Sequence, residues 1–135
     1  MKVFLACAKG MPDSDVQIKR KDVQRYLSMK NKQTVQVVPS AEDYATYFAQ
    51  CGGWSEWIKH VSVGVDYTTR KHIYDAVVCV DIQLGRATAS IVEKTIDAGK
   101  PALYWDPKNN VMKRVVSVET TDDTNWQAGW TLKTL

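Results

Sequence analysis

Long apolar runs and paired cysteines are both missing from this sequence of 135 residues. No apolar run approaches the ~20 residues that a helix needs to cross a bilayer, and the run at residues 3–7 is too short for a signal-peptide core. The three cysteines, Cys7, Cys51 and Cys79, form no CxxC pair and are odd in number. This pattern favours buried thiols in a reducing compartment over a disulfide framework. We therefore expect a cytoplasmic protein with no membrane partner.

Dense basic stripes and metal-ligand spacings are missing as well. The net charge of +3 is spread along the chain, and the tightest basic cluster, residues 19–21, has Asp22 beside it. A solvated helix face accounts for that cluster, so we expect no nucleic-acid partner. His60 and His72 are twelve residues apart with no cysteine at ligand spacing. We therefore expect neither a metal nor another cofactor.

Length and composition fit one soluble globular domain. A chain of 135 residues is long enough for one core and too short for two. Hydrophobic content of 44% and charged content of 24% are ordinary for a soluble protein. Residue patterns predict strands at 2–6, 34–38, 76–80, 102–105 and 115–118, and helices at 19–29, 40–50, 54–61, 66–74 and 89–98. Residues 126–134 are predicted to form an edge strand or a lid.

This alternation of strands and helices predicts a single-domain α/β protein of the Rossmann-like, flavodoxin-like kind. Right-handed crossovers then produce a mostly parallel sheet flanked by helices on both faces. We expect the core at about residues 2–105 and a short C-terminal extension at about 106–135. In such sheets ligands bind outside the carboxyl ends of the strands. That rule selects the loops at residues 6–12, 81–88 and 106–110.

Residues in two of these loops have chemistry suited to a ligand, and each also has a structural explanation. Asp81 follows a predicted strand, where its carboxylate either faces a ligand or caps the turn before the next helix. The small-residue turn at 85–89 opens a helix, so its N–H groups could receive an anion or a polar sugar. It has neither the full GxGxxG nor the lysine–serine pattern of a P-loop. Gly10, after Lys9, permits close approach of backbone to a ligand or only serves a turn.

Several motifs follow one another in a characteristic order: "KVFLACA" at residues 2–8, Asp66 ahead of "YDAVVCV", Asp81, "ATA" at 87–89, and "GKP" at 99–101. Over roughly residues 2–105 the chain thereby resembles the nucleoside 2-deoxyribosyltransferase-like superfamily, which includes nucleotide N-glycoside hydrolases. The resemblance implies that Asp66 and Asp81 orient the sugar or the base. The residues expected to contact the substrate are Cys7, Ala8, Lys9, Gly10, Gly85, Arg86, Thr88 and Ser90.

The sequence departs from this superfamily at the nucleophile. An N-glycosidic bond breaks through an oxocarbenium-like state, which a carboxylate attacks or stabilises. Members commonly have a glutamate about eight residues before GKP, and here Ile91 occupies that position. The nearest carboxylate, Glu93, lies roughly 200° further around an ideal helix. Ser90 is adjacent but has no visible base, so it is a poor nucleophile.

Three interpretations are open on the sequence alone. The protein has kept a pocket for a nucleoside or nucleotide but lost the transferase chemistry, so that it senses or sequesters a nucleotide-derived molecule. A local bulge instead makes Glu93 the catalytic carboxylate beside Asp66 and Asp81, so that the protein cleaves or transfers an N-glycosidic bond. In the third interpretation the similarity is only architectural, because fold alone does not define function.

Tryptophans predict two further contacts. Trp54 and Trp57 follow Gly52 and Gly53, and they either stack on a base or pack against the sheet. Trp126 and Trp130 lie four residues apart near the C-terminus. Aromatic residues at that spacing are suited to a subunit contact, so we expect a homo-oligomer.

Overall fold

The computed structural model of the protein describes residues 1–6, 13–38, 75–80, 85–121 and 127–135. These ranges contain two helices, α1 (Asp13–Asn31) and α2 (Arg86–Asp97). They also contain six strands: β1 (Lys2–Ala6), β2 (Gln36–Val38), β3 (Ala76–Cys79), β4 (Ala102–Asp106), β5 (Val111–Thr120) and β6 (Ala128–Thr134). The helices predicted at 40–50, 54–61 and 66–74 lie outside the described residues.

The strands form one mixed sheet in the order β2-β1-β3-β4-β5-β6. β1 pairs in parallel with both β2 and β3, and β3 pairs in parallel with β4. β5 then runs antiparallel to β4, and β6 runs antiparallel to β5. The predicted α/β class is confirmed. Residues 111–134 supply two strands of this same sheet.

The central strands are apolar because their residues are buried on both faces of the sheet. Every residue of β3 and β4 is buried, as are all but the first of β1. The cluster on one face, called here the α2 cluster, comprises Phe4, Ala6, Val77, Cys79, Ile91, Val92, Ala102, Tyr104 and Val115. The cluster on the other face contains Val23 and Leu27 of α1 together with alternate residues of the same strands.

Helix α1 begins earlier than its pattern predicts. The predicted segment was 19–29, whereas the helix covers Asp13–Asn31. Val16 packs against the same cluster as Val23 and Leu27. These three residues lie at i, i+7 and i+11, which is one face of a helix, so the packing of the half-buried Val16 extends the helix at its N-terminal end. No helix among the described residues is long and apolar enough to span a membrane.

Strand β5 is also longer than predicted. The pattern indicated residues 115–118, and the strand covers Val111–Thr120 because the four residues 107–110 turn the chain directly from β4 into β5. Met112 and Val115 are buried on opposite faces of the sheet. A register shift between Val115 and Ser117 marks a bulge, which returns Val118 to the face of the α2 cluster. Of the two predictions for residues 126–134, the edge strand is the one observed, as β6.

Candidate functional site

The central strands β1 and β3 end side by side. Ala6 pairs with Cys79, and the Val80 N–H donates to the Ala6 carbonyl at 3.3 Å. β2 lies on the outer side of β1 and β4 on the outer side of β3, so strand order reverses between them. In parallel α/β sheets this reversal is the place where the crevice for a ligand opens. The carboxyl ends of these two strands, called here the β1–β3 edge, are the candidate functional site.

The chain leaves the sheet at Ala6 and at Val80, directly before two predicted groups of site residues. Those residues, Cys7, Ala8, Lys9, Gly10 and Asp81, lie outside the described residues, as does Asp66. The structure therefore locates the strand ends from which the predicted site residues follow. The convergence of Asp66 and Asp81 stays a prediction.

The N-terminus of α2 begins without a side-chain cap. Gly85 is the N-cap residue, in an extended conformation with φ −74° and ψ 168°, and its carbonyl accepts the first helical hydrogen bond from Ala89. The first turn has no acidic side chain. The first N–H groups of a helix have no partner within the helix, and they carry its positive dipole end.

Of the other predicted contacts here, Thr88 is buried and Ser90 half-buried, and the side chain of Arg86 lies outside the described part.

Ile91 faces the core. It is 3% exposed and belongs to the α2 cluster, where its carbonyl also accepts a hydrogen bond of 2.7 Å from the Thr95 hydroxyl. The residue at the position where the resemblance predicts a glutamate therefore has a packing role in this chain.

Glu93 faces β5. Helix α2 runs unbroken from Arg86 to Asp97, with no bulge near Glu93. Glu93 lines a cavity of about 380 Å³ together with Ile96 and Asp97 and with residues 116–118 of β5. It lies eight residues after Gly85, or roughly 12 Å along the helix axis. The local bulge that would turn Glu93 toward the predicted pocket is therefore not observed.

A second cavity adjoins the first. It has a volume of about 320 Å³ and shares Ile96 and Val116 with the cavity beside Glu93. Its charged lining residues are Lys100, Arg114 and Lys133. Both cavities lie beside the C-terminal half of α2, near the amino end of β4. They are at the opposite end of the sheet from the β1–β3 edge.

The motif GKP has a structural explanation in the end of α2. Gly99 has φ +75°, its N–H donates to the Ile96 carbonyl at 2.9 Å, and the Lys100 N–H donates to the Thr95 carbonyl at 3.1 Å. These two bonds form a Schellman motif, in which glycine supplies the left-handed residue. Pro101 follows, as is common after such an end. A residue run that supported the superfamily resemblance therefore serves to stop a helix.

The loop at residues 106–110, which the sequence also selected, is a tight turn held by Asp106. The Asp106 carboxylate accepts hydrogen bonds from the Lys108 N–H at 3.0 Å and from the Asn109 side-chain amide at 2.9 Å, and it lies 3.2 Å from Lys113 Nζ. These contacts lower the pKa of Asp106 to about 2, the Asn109 amide contributing most, although desolvation acts in the opposite direction. The carboxylate at this strand end is thus occupied within the chain.

Trp105 has a polar group that the sequence did not single out. Its side chain is 3% exposed and its ring lies 5.4 Å from that of Tyr26, edge to face. Its indole nitrogen is buried and has no hydrogen-bond partner within the described ranges. The sequence feature that could have indicated this group is a tryptophan within an otherwise apolar strand. A buried tryptophan usually donates its indole N–H to an acceptor, so such a residue raises the question of its partner.

These observations define the class of protein as α/β, with a mixed sheet of six strands among the described residues. Comparison of the chain with protein-family models, with curated proteins and with solved structures found no match. Within the part of the chain that the structure describes, no three His, Cys, Asp or Glu residues group as metal ligands.

Proposed function

We propose that the protein binds a nucleoside or nucleotide at the β1–β3 edge, as the resemblance to the nucleoside 2-deoxyribosyltransferase-like superfamily implies. The observation that carries the proposal is the adjacent termination of β1 and β3 where strand order reverses, followed along the chain by a helix whose N-cap is Gly85. An uncapped helix N-terminus offers N–H donors to an anion. A nucleoside monophosphate is therefore favoured over an uncharged nucleoside.

The proposed architecture is Rossmann-like, of the flavodoxin type, with helices on both faces of the sheet. The order β2-β1-β3-β4 supports it, because this is the start of a doubly wound sheet whose ligand site lies between the first and third strands. The two hydrophobic clusters support it too, since one contains side chains of α2 and the other side chains of α1.

The protein is proposed to bind its ligand without cleaving it. Cleavage of an N-glycosidic bond needs a carboxylate at the anomeric carbon. At the superfamily's position Ile91 is buried, and Glu93 lies in the cavity beside β5. Sensing or sequestering a nucleotide-derived molecule requires only the pocket. Cleavage or transfer is therefore the outcome that the experiment must exclude.

Two further proposals concern the state of the protein in the cell. The Cys79 side chain is buried in β3 and forms no disulfide, which suits a reducing compartment such as the cytoplasm. The chain is proposed to act as a homo-oligomer whose partners are small molecules.

The test is a panel of deoxynucleosides and their monophosphates, read by thermal unfolding and by chromatography for free base. We expect one monophosphate to raise the melting temperature without base release, because a ligand at 100 times its Kd stabilises the folded state by about 2.7 kcal/mol. Release of base that Glu93→Gln abolishes would instead establish an enzyme. No stabilisation by any of the panel at millimolar concentration would refute nucleotide binding.

Gly85→Asp tests the contribution of the helix N-terminus. An aspartate at the N-cap accepts a hydrogen bond from the first turn and adds negative charge, so we expect a more stable protein that binds the monophosphate more weakly. Gly85→Asn is the matched control, because it caps the helix without the charge. Equal monophosphate affinity in the two variants would show that the phosphate does not lie at this helix end.

A further inference from the structure

Strand β6 has an outer edge to which no strand pairs within the described ranges. It is seven residues long, Ala128–Thr134, with no proline and a single charged residue, Lys133. β2, at the other side of the sheet, is only three residues long. A long edge strand with little charge presents a row of backbone donors and acceptors that readily pairs with another strand.

One hydrogen bond shows which residues of β6 direct their backbone N–H and C=O groups outward, away from β5. The Thr121 N–H donates to the Gln127 carbonyl at 2.9 Å, so the backbone of Gln127 faces β5. Residues of an antiparallel strand direct their backbone groups to alternate sides. The backbone N–H and C=O groups of Gly129, Thr131 and Lys133 are therefore also directed toward β5. The N–H and C=O groups directed outward belong to Ala128, Trp130, Leu132 and Thr134.

We propose that β6 pairs antiparallel with β6 of a second copy of the chain, with Thr131 on the two-fold axis. In this register Ala128 is opposite Thr134 of the partner subunit, so the whole strand is paired. Trp130 is likewise opposite Leu132 of the partner subunit, and outward-facing residues pair only with each other. The ladder consists of four hydrogen-bonded residue pairs with about two bonds in each. The six described strands of each copy then form one continuous sheet across the dimer.

The side chains of β6 are self-complementary in the same register. Lys133 is opposite Gly129 of the partner subunit, so the like charges of the two strands do not face each other. Trp130 and Leu132 are half-buried and pack against the α2 cluster, where the Trp130 ring lies 4.9 Å from that of Tyr104. Pairing of these two residues across the axis continues that apolar surface into the second copy. A register moved until the two Lys133 residues met would lose both features.

The test uses opposite charges at the axis. Thr131 is exposed, so a charged residue there leaves the fold of the single chain intact. Residues at this position are opposite each other in a pair without hydrogen bonds, in which side chains approach most closely. Thr131→Lys and Thr131→Glu should therefore each raise the dimer dissociation constant by on the order of tenfold. An equimolar mixture of the two variants should restore dimers.

The measurement is analytical ultracentrifugation over a concentration series. We expect the unsubstituted protein at about twice its chain mass of 15.2 kDa. Met29→Lys is the control, since Met29 is 75% exposed on α1 and the added charge lies away from β6. A monomer at several hundred micromolar would overturn the proposal. So would a dimer that both charged variants leave unchanged.

Hydrogen exchange tests the register without any substitution. The amides of Trp130 and Leu132 should be protected in the dimer and exchange faster on dilution. The amides of Gly129 and Thr131, which bond to β5 within one chain, should not change with concentration. The reverse pattern would contradict the pairing of the outward edge.

Discussion

Asp106 illustrates at the level of one residue how position at a strand end differs from a functional role. Asp106 is the last residue of β4, at the carboxyl edge of the sheet, where ligand-binding carboxylates are expected. The carboxylate oxygens of Asp106 instead accept hydrogen bonds from Lys108 and Asn109 and form an ion pair with Lys113. The turn from β4 to β5 is thereby fixed, and Asp106 is a structural carboxylate.

The low pKa of Asp106 predicts an acid-dependent contribution to stability. Its folded-state pKa of about 2 is below the ordinary value of 3.8, so the contribution is complete above about pH 4 and is lost as the pH falls toward 2. We expect an NMR titration of the carboxyl group to show this pKa. Asn109→Ala should raise the pKa toward 3.8, because the Asn109 amide is the largest stabilising contact.

Lys108→Ala is the matched control for that titration. Lys108 donates through its backbone N–H, which an alanine retains, so the pKa of Asp106 should change little. If Asn109→Ala left the pKa near 2, the described hydrogen bond would not be its cause.

Ile91 allows a direct test of whether the superfamily's glutamate fits this chain. Ile91→Glu should lower the free energy of unfolding by more than about 3 kcal/mol, because a carboxylate would be buried among apolar groups without a partner. Ile91→Val should cost only about 0.5–1.5 kcal/mol. The measurement is urea denaturation of both variants. If Ile91→Glu were as stable as the unsubstituted protein, residue 91 would face a polar pocket.

Helix α2 shows at the level of one element that a glycine at each end does not have the same role. Gly85 starts the helix in an extended conformation open to any residue, whereas Gly99 ends it at φ +75°. Neither position has a heavy atom within 4 Å of an added Cβ. A methyl group therefore meets no steric obstacle at either place, and the difference between the two sites is confined to the backbone.

Alanine at the two glycines should separate these roles. Gly99→Ala should destabilise the protein by about 1–2 kcal/mol, since an L-residue pays that cost in the left-handed conformation. Gly85→Ala should change stability by no more than about 0.5 kcal/mol, because loss of unfolded-state entropy offsets the poorer cap. Thermal unfolding of both variants is the measurement. Equal effects would be inconsistent with a Schellman end at Gly99.

The whole molecule places its two proposed contacts in different parts of one sheet. The β1–β3 edge and β6 are separated by β4 and β5, and adjacent strands are about 4.8 Å apart. From β3 to β6 is therefore roughly 14 Å. Ligand binding at the carboxyl ends and pairing along β6 involve no common residue among those described.

This separation predicts additive effects. Gly85→Asp and Thr131→Lys, combined in one chain, should change the free energy of monophosphate binding by the sum of their separate effects to within about 0.5 kcal/mol. Calorimetric titration of the two single variants and the double variant is the measurement. A larger interaction energy would show that dimer formation and ligand binding are coupled.

Much of the fold was accessible from local pattern. The buried strands at residues 2–6, 76–80 and 102–105 were predicted because parallel central strands are continuous apolar runs. The start of α1 and the length of β5 were not, since the packing of Val16 and the burial of Met112 depend on what lies opposite them. The predicted carboxyl ends of β1 and β3 agree with the structure to within one residue, whereas the predicted site residues that follow them lie outside the described ranges. That Glu93 lies beside β5 could be established only from the packing of the helix against that strand.

For the described residues, the sequence by itself determined the order of strands and helices, because this depends on the spacing of apolar residues and on nearby glycine and proline. Only the tertiary structure decided that β5 and β6 join the sheet antiparallel, that Ile91 belongs to the core, and that Asp106 is occupied by its own turn. Each of these depends on contacts between segments distant in the chain or on hydrogen-bond geometry. Residue spacing along the sequence carries no record of either.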